Sequence, residues 1–310
     1  MSVKLTPLEQ DDYGEIARLL HQSLVRWYES HLGQGYRFGT APEPFLIFPE
    51  VYETLDPGEA IVARDSSNGE ILGVCFVHPR ETHFGIGIVA TSPSASGKGV
   101  ARSMMKEAIQ RADAAGKPLR LVSSLLNLDS FSLYTKLGFQ PRTVFQDILV
   151  SVPETGIPFG FAESAQKMRR ARADEAARLA DFEQSLQGIR REQDYAFFLE
   201  NRVGKWEVWV SESAAGELCG VLVISLNPAM AMLGPGVTRD EETAIEMIAT
   251  LLNNERGKNY VVLAPVKASK LVQALYAFGG KNVELHIAQV HGESPEGVGV
   301  CFPTFLPESG

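Results

Sequence analysis

The alternation of apolar and polar residues divides the chain into short strands and amphipathic helices that follow one another closely. Val3–Leu5, closed by Pro7, predicts a first strand. Asp11 or Asp12 then caps a helix whose apolar stripe is Ile16, Leu19, Leu20, Leu24 and Trp27. From Tyr28 to Leu55, aromatics and prolines (among them Tyr36, Phe38, Pro42, Phe45, Phe48 and Tyr52) break any single period, so short helical pieces and loops are expected. Ala60–Arg64 and Ile71–His78 flank the turn Ser66-Ser67-Asn68-Gly69 and read as a hairpin, and a strand follows over Thr82–Thr91. A helix over Gly99–Ala115 places Met104, Met105, Ala108, Ile109 and Ala112 on a core face and stops at Gly116 ahead of Pro118. Leu119–Ser123 and Thr143–Ser151 are further strands.

The second half repeats this outline. Helices are expected over Asp174–Leu186 and Asp194–Glu200, strands over Trp206–Ser211, Leu218–Ser225 and Met230–Leu233, and a helix over Asp240–Asn254. A shift of 142 residues lays Leu133-Tyr134 on Leu275-Tyr276 and Gly138 on Gly280. The segment Val152–Gln166, with its prolines and glycines, reads as a connection, so the expected organisation is 1–152, a linker over 153–166, and 167–310.

A chain of 310 residues with 45% hydrophobic and 22% charged residues can bury two cores. Its net charge of −9 and the lack of a basic run interleaved with aromatics argue against nucleic acid as a partner and suit a basic or amine substrate. Cys75, Cys219 and Cys301 are far apart and imply no disulfide framework. The first residues, MSVKLTPLEQDD, lack signal-peptide character, and no window approaches a membrane span, so a cytoplasmic protein without a membrane partner is expected.

Chemistry concentrates in two stretches. In Ile86–Met105, an apolar strand runs through Ser94-Ala95-Ser96-Gly97-Lys98-Gly99 into the helix beginning with Val100 and Ala101. Small or absent side chains there let backbone N–H groups approach a phosphate at the positive end of the helix. The second stretch is Asn127-Leu128-Asp129-Ser130-Phe131-Ser132-Leu133-Tyr134, with Gly138-Phe139 beyond. Gly85-Ile86-Gly87-Ile88-Val89-Ala90 matches a dinucleotide fingerprint by letter. Its glycines lie inside the strand, however, and Thr-Ser-Pro follows where a helix would be needed, so that reading is rejected. Glycines so placed mark a bulge or a close backbone approach.

Together the two stretches resemble the GNAT superfamily of acyl-CoA N-acyltransferases, over about residues 1–150. The resemblance implies a mixed-sheet α/β fold, present twice, with acetyl-CoA as co-substrate. It implies that the turn Ser94–Gly99 with Val100 and Ala101 cradles the CoA pyrophosphate, that Asn127 and Ser130 face the pantetheine arm, and that a backbone N–H near Ile88, Val89 or Ala90 polarises the thioester carbonyl. Tyr134 would protonate the departing thiolate. The family usually has Gln or Arg where this chain has Ser94. By the shift of 142, the second half has Arg239, Glu241, Ser269 and Val272 in place of Gly97, Gly99, Asn127 and Ser130, so no CoA is expected there and a structural or substrate-shaping role is.

For the base the candidates are His83 and Glu81, which strand alternation would put on one face. His21, His31, His78, His286 and His291 form no metal-ligand spacing, and H-E-x-x-H, C-x-x-C and G-x-S-x-G are missing, so no metal is expected. The expected activity is N-acetyl transfer from acetyl-CoA to a primary amine of a small molecule or peptide; the alternative is a CoA-binding sensor or scaffold without turnover.

Overall fold

The computed structural model describes residues 2–158, 166–227, 230–306 and 308–309. Residues 159–165 of the expected linker lie outside the described residues. In chain order the first repeat is β1 (Val3–Pro7), α1 (Tyr13–Leu32), α2 (Ile47–Leu55), β2 (Ile61–Asp65), β3 (Ile71–Pro79), β4 (Phe84–Thr91), α3 (Val100–Ala114), β5 (Leu119–Ser124), α4 (Leu128–Lys136) and β6 (Gln140–Ser151). The second is β7 (Lys167–Arg170), α5 (Ala176–Gln187), α6 (Glu192–Glu200), β8 (Trp206–Glu212), β9 (Leu218–Ser225), β10 (Met232–Thr238), α7 (Glu241–Asn254), β11 (Asn259–Pro265), α8 (Ser269–Ala277) and β12 (Lys281–His291), with β13 (Val300–Phe302) added. The mixed α/β fold and its internal repeat are as the sequence implies.

The compact units do not follow the expected boundary at 152. The first runs to Pro79 and again over His83–Leu119, whereas the second holds Arg80–Thr82 and Arg120–Phe305. The cause is an exchange of strands. In the second unit the order is β5-β12-β6-β11-β10-β9-β8-β7, so the last strand of each repeat lies beside the other repeat's fifth strand. β6 pairs antiparallel with β11 over Phe145–Ser151 on one side and with β12 on the other. Ile148 and Val150 of β6 are thereby buried in the core formed by α7 and α8 with Leu222, Tyr260 and Val262. Contacts of this kind tie residues beyond 120 to the second unit whatever repeat they belong to.

The first unit is an antiparallel meander, β1-β2-β3-β4. Ile16 and Leu20 of α1, Val74 and Phe76 of β3, and Met104, Met105 and Ala108 of α3 are buried there, so both methionines fill core. The segment after α1 becomes two 3-10 turns (Gly35–Phe38 and Glu43–Leu46) and α2, the short pieces its prolines predict.

The structure also moves the internal register by one residue. Asn127 and Ala268 are the N-caps of α4 and α8, and Gly99 and Asp240 those of α3 and α7. Gly138 (φ 91°) and Gly279 (φ 86°) share the left-handed position after α4 and α8. The Phe139 N–H donates to the Tyr134 carbonyl just as the Gly280 N–H donates to that of Leu275. Tyr134 therefore corresponds to Leu275, and the gapless match of Leu-Tyr letters is out of step with the backbone.

At the seam, Glu284 of β12 lies directly across from Asp147 of β6, a like-charge pair that would destabilise the ladder. His286 donates its bond there, Nδ1 lying 2.9 Å from Asp147 Oδ1. Burial pulls the imidazole pKa down, but the Asp147 bond and the charges of Asp147 and Glu284 outweigh it and the net shift is upward. A raised folded pKa contributes stability that is fully present below the unfolded value, about 6.5, and is lost as pH rises through the folded value. The urea midpoint should thus fall as pH is raised above about 6.5, and His286→Gln should flatten that dependence; an unchanged slope in the variant would remove His286 as its source.

Candidate active site

The turn ahead of α3 is built by glycine backbone. Pro93–Ala95 form a 3-10 turn whose N-cap, Ser92, accepts from the Ser94 N–H. Gly97 (φ 73°) and Gly99 (φ 81°) are both left-handed, and a Cβ on either would meet nothing within 4 Å. Glycine is required here by conformation, and the space left around it is open to a ligand. The first bond of the helix runs from the Ser103 N–H to the Gly99 carbonyl, so the N–H groups of Val100, Ala101 and Arg102 have no intrahelical acceptor. Ser94, Ser96, Gly97, Lys98 and Gly99 are exposed, while Ala95 and Val100 anchor the turn in the core. No acidic side chain stands in the first turn of α3.

On β4, Gly87 and Ile88 together oppose the single residue Phe76 of β3, between the pairs Val89–Cys75 and Ile86–Val77. This is the bulge that the glycines of the strand predict. Ile88 and Val89 are partly exposed beside it, and Ala90 is buried.

In the second unit, Asn127 caps α4 by accepting from the Ser130 N–H at 3.1 Å. The two motif residues are thus joined to each other through the start of the helix. Tyr134 is 6% exposed and packs against Phe139 at 5.8 Å between ring centroids. Leu128, at the open end of α4, is 70% exposed.

The candidate bases do not share a strand face. β4 begins at Phe84, so Glu81 and His83 lie in the irregular stretch ahead of it and alternation does not apply to them. Glu81 belongs to the second unit, where its carboxylate accepts from Arg190 Nη1 at 2.7 Å and from the Glu192 N–H. That engagement anchors the segment Arg80–Thr82 on the start of α6, together with the buried Arg80–Asp194 pair. His83 is buried in the first unit.

A histidine that spacing alone did not single out has the better arrangement. His78, on β3, lies 2.6 Å through Nδ1 from Asp56 Oδ2, both side chains being buried. In the neutral imidazole, a bond donated from Nδ1 to the Asp56 carboxylate leaves Nε2 with its lone pair. Nε2 is buried without a hydrogen-bond partner among the described residues. It lies 2.9 Å from where a Cβ on Gly87 would stand, so the ring fills the side-chain space of the β4 bulge. A series of ring contacts leads to it from Phe45 through Phe48 and Tyr52. Sequence could have pointed to His78 only through its neighbour Gly87, since Asp56 is far away along the chain.

The second repeat has closed the same features. Asp240 caps α7 by accepting from the Thr243 N–H, and Glu241 accepts from the Leu271 N–H at the start of α8. β10 pairs with β11 only at Met232 and Leu233, and β13 then pairs with β10 over Gly236–Thr238 and contacts β11, filling the gap between them. Leu275 offers no hydroxyl where Tyr134 has one, and Tyr276 instead donates to Gln146 on β6.

Asp147, Glu284 and His286 have ligand atoms within 4.8 Å of one another and are the metal-type donor cluster found among the described residues. Within it, against the opposing effect of burial, Asp147 and Glu284 raise the His286 pKa.

Gly87→Ala tests the packing of the imidazole on β4. The added methyl would also crowd Phe76 and Tyr52, and the variant should lose about 1–3 kcal/mol in thermal unfolding. A loss well below that range would mean His78 can move aside.

Residues 16–139 match the Acetyltransferase (GNAT) family. No curated protein matches the chain. Among solved structures, the fold is similar to that of a putative acetyltransferase from Pyrococcus horikoshii at 12% identity, TM-score 0.72, over 99% of this chain and 96% of that one. It is similar to a GCN5-related N-acetyltransferase from Sphaerobacter thermophilus at 12% identity, TM-score 0.64, over 96% and 97% of the two chains. A tandem GNAT protein of the clavulanic acid biosynthesis pathway aligns at 17% identity, TM-score 0.62, over 95% and 100%. At such identities the structures speak for fold, and the family match speaks for the first repeat. Residues 16–139 thus match the GNAT family, and the chain as a whole is similar in fold to solved GNAT proteins, a tandem one among them.

Proposed function

We propose that residues 1–152 bind acetyl-CoA and transfer its acetyl group to a primary amine of an acceptor, and that 167–310, joined through 153–166, act without a donor of their own. The observation that carries this reading is the open N-terminus of α3 behind Gly97 and Gly99, against the Asp-capped N-terminus of α7. In the turn Ser94, Ala95, Ser96, Gly97, Lys98, Gly99, Val100 and Ala101, the N–H groups of Ser94, Ala95, Ser96 and Lys98 hold the turn itself, and those of Gly97, Gly99, Val100 and Ala101 suit a pyrophosphate, which brings the charge that the helix end favours. Asn127 and Ser130 are assigned to the pantetheine arm.

In the reaction a neutral amine attacks the thioester carbonyl carbon. The carbonyl oxygen gathers charge that a backbone N–H of Ile88, Val89 or Ala90 at the bulge can stabilise by donating a hydrogen bond to it. The C–S bond then breaks, the thiolate takes a proton from Tyr134, and the amine's proton goes to a base. His78 has the credentials for that base. One ring nitrogen is oriented by Asp56 and the other is a lone pair held at the bulge, the arrangement that fixes a tautomer in proton-transfer sites. Glu81 is committed to Arg190, and His83 ranks after His78.

Calorimetric titration with acetyl-CoA should give one site per chain; two equivalent sites would mean that the second repeat binds as well. Binding without thiol release across a broad set of primary amines would assign the protein to the binding-only alternative. Tyr134→Phe keeps the ring packing and should leave acetyl-CoA affinity near the native value while turnover falls roughly 10²-fold or more. His78→Asn should lower turnover by about 10²–10⁴. Native turnover in His78→Asn, with the loss found in His83→Asn instead, would transfer the role to His83.

A further inference from the structure

The second unit encloses a cavity of about 430 Å³, within the size range of small-molecule sites. Cationic side chains reach it from separate parts of the chain: Arg120 from β5, Arg142 from β6, Arg191 from the N-cap of α6 and Lys267 from the segment between β11 and α8. This concentration occurs in a chain whose net charge is −9, so it does not follow from average composition. Glu183 on the same wall is already taken in a two-pronged bond by Arg191, at 2.8 and 2.5 Å. Arg120 Nη1 donates to Ser294 Oγ at 2.8 Å, which fixes the guanidinium at the cavity wall.

Electrostatics runs the same way. Burial is the main cause that lowers the pKa of Arg120; Cys301 and Glu183 oppose it, while Arg191 and Arg142 add to it. Burial raises the Cys301 thiol, so this wall residue stays neutral and adds no negative charge. An anion entering the cavity would relieve the crowding of like charges. Hydrocarbon comes from Val122 on β5 and from Val144, Ala288 and Val290 on the exchanged strands, and Thr143, Gln187 and Glu296 also line the wall, so four cationic side chains face the two carboxylates Glu183 and Glu296.

We propose that this cavity is a binding site for a small organic carboxylate, with its anionic end among Arg120, Arg142 and Lys267 and its carbon skeleton on the strand floor. Planar guanidinium forks match carboxylate geometry, and the apolar floor favours a carboxylate on a hydrocarbon body over a bare inorganic oxyanion. The proposal concerns the second unit alone and does not depend on acyl transfer, because its readout is binding in the absence of acetyl-CoA.

The test is calorimetric titration of the full chain, in a carboxylate-free buffer, with benzoate, glutarate and citrate, and separately with inorganic phosphate. At least one carboxylate should bind with one-to-one stoichiometry. Arg142→Gln and Lys267→Gln, which alter exposed side chains and spare the core, should each weaken it about tenfold. Ala288→Leu should abolish it by narrowing the floor, with circular dichroism confirming the fold. Failure of all three carboxylates to bind saturably would overturn the proposal. So would affinity unchanged in the three variants, or phosphate binding as tightly as the best carboxylate.

Discussion

The exchange of β6 and β12 is the constraint on which the rest of this molecule rests. A repeat ending at its own fifth strand would leave that strand as an open edge. Here each edge is completed by the other repeat's last strand, and Ile148 and Val150 of β6 complete a core whose helices, α7 and α8, belong to the second repeat. Neither repeat can finish its sheet from its own sequence. The central pair of exchanged strands must also tolerate two facing carboxylates, which makes His286 part of the architecture.

The two helix N-termini show how small a change separates an open helix end from a capped one. Gly99 and Asp240 occupy the same place, the N-cap of α3 and α7. Glycine leaves the first N–H groups pointing outward with no side chain in the way. Aspartate satisfies one of them itself and brings a negative charge to the same spot. The backbone fold is kept, and the chemistry of that end is reversed.

Much of this was legible in sequence because it is written in local rules. The prolines after Tyr28, the methionines of α3 and the glycines of β4 each state a backbone or packing requirement that the structure meets. What was not legible depends on distant partners. The boundary at 152 follows from the repeat, but compactness follows from strand exchange, which periodicity cannot express. Glu81 and His83 read as strand neighbours only if the strand begins early, and the Arg190 and Glu192 contacts that hold Glu81 are more than a hundred positions away. His78 gains its meaning from Asp56 and from Gly87, neither of which sequence adjacency connects to it. The slip of one residue between repeats arose because Leu-Tyr recurs by letter, whereas caps and left-handed glycines record the backbone.

β13 gives the second repeat an occupant from its own chain. A strand tethered to the same chain stands at its groove at an effective concentration of about millimolar or more, without any loss of translational freedom each time it docks. A diffusing molecule would have to outcompete that tether and then cover the backbone groups of Gly236–Thr238 as fully as β13 does. The groove is thereby turned from a surface that must stay solvated and selective into ordinary interior.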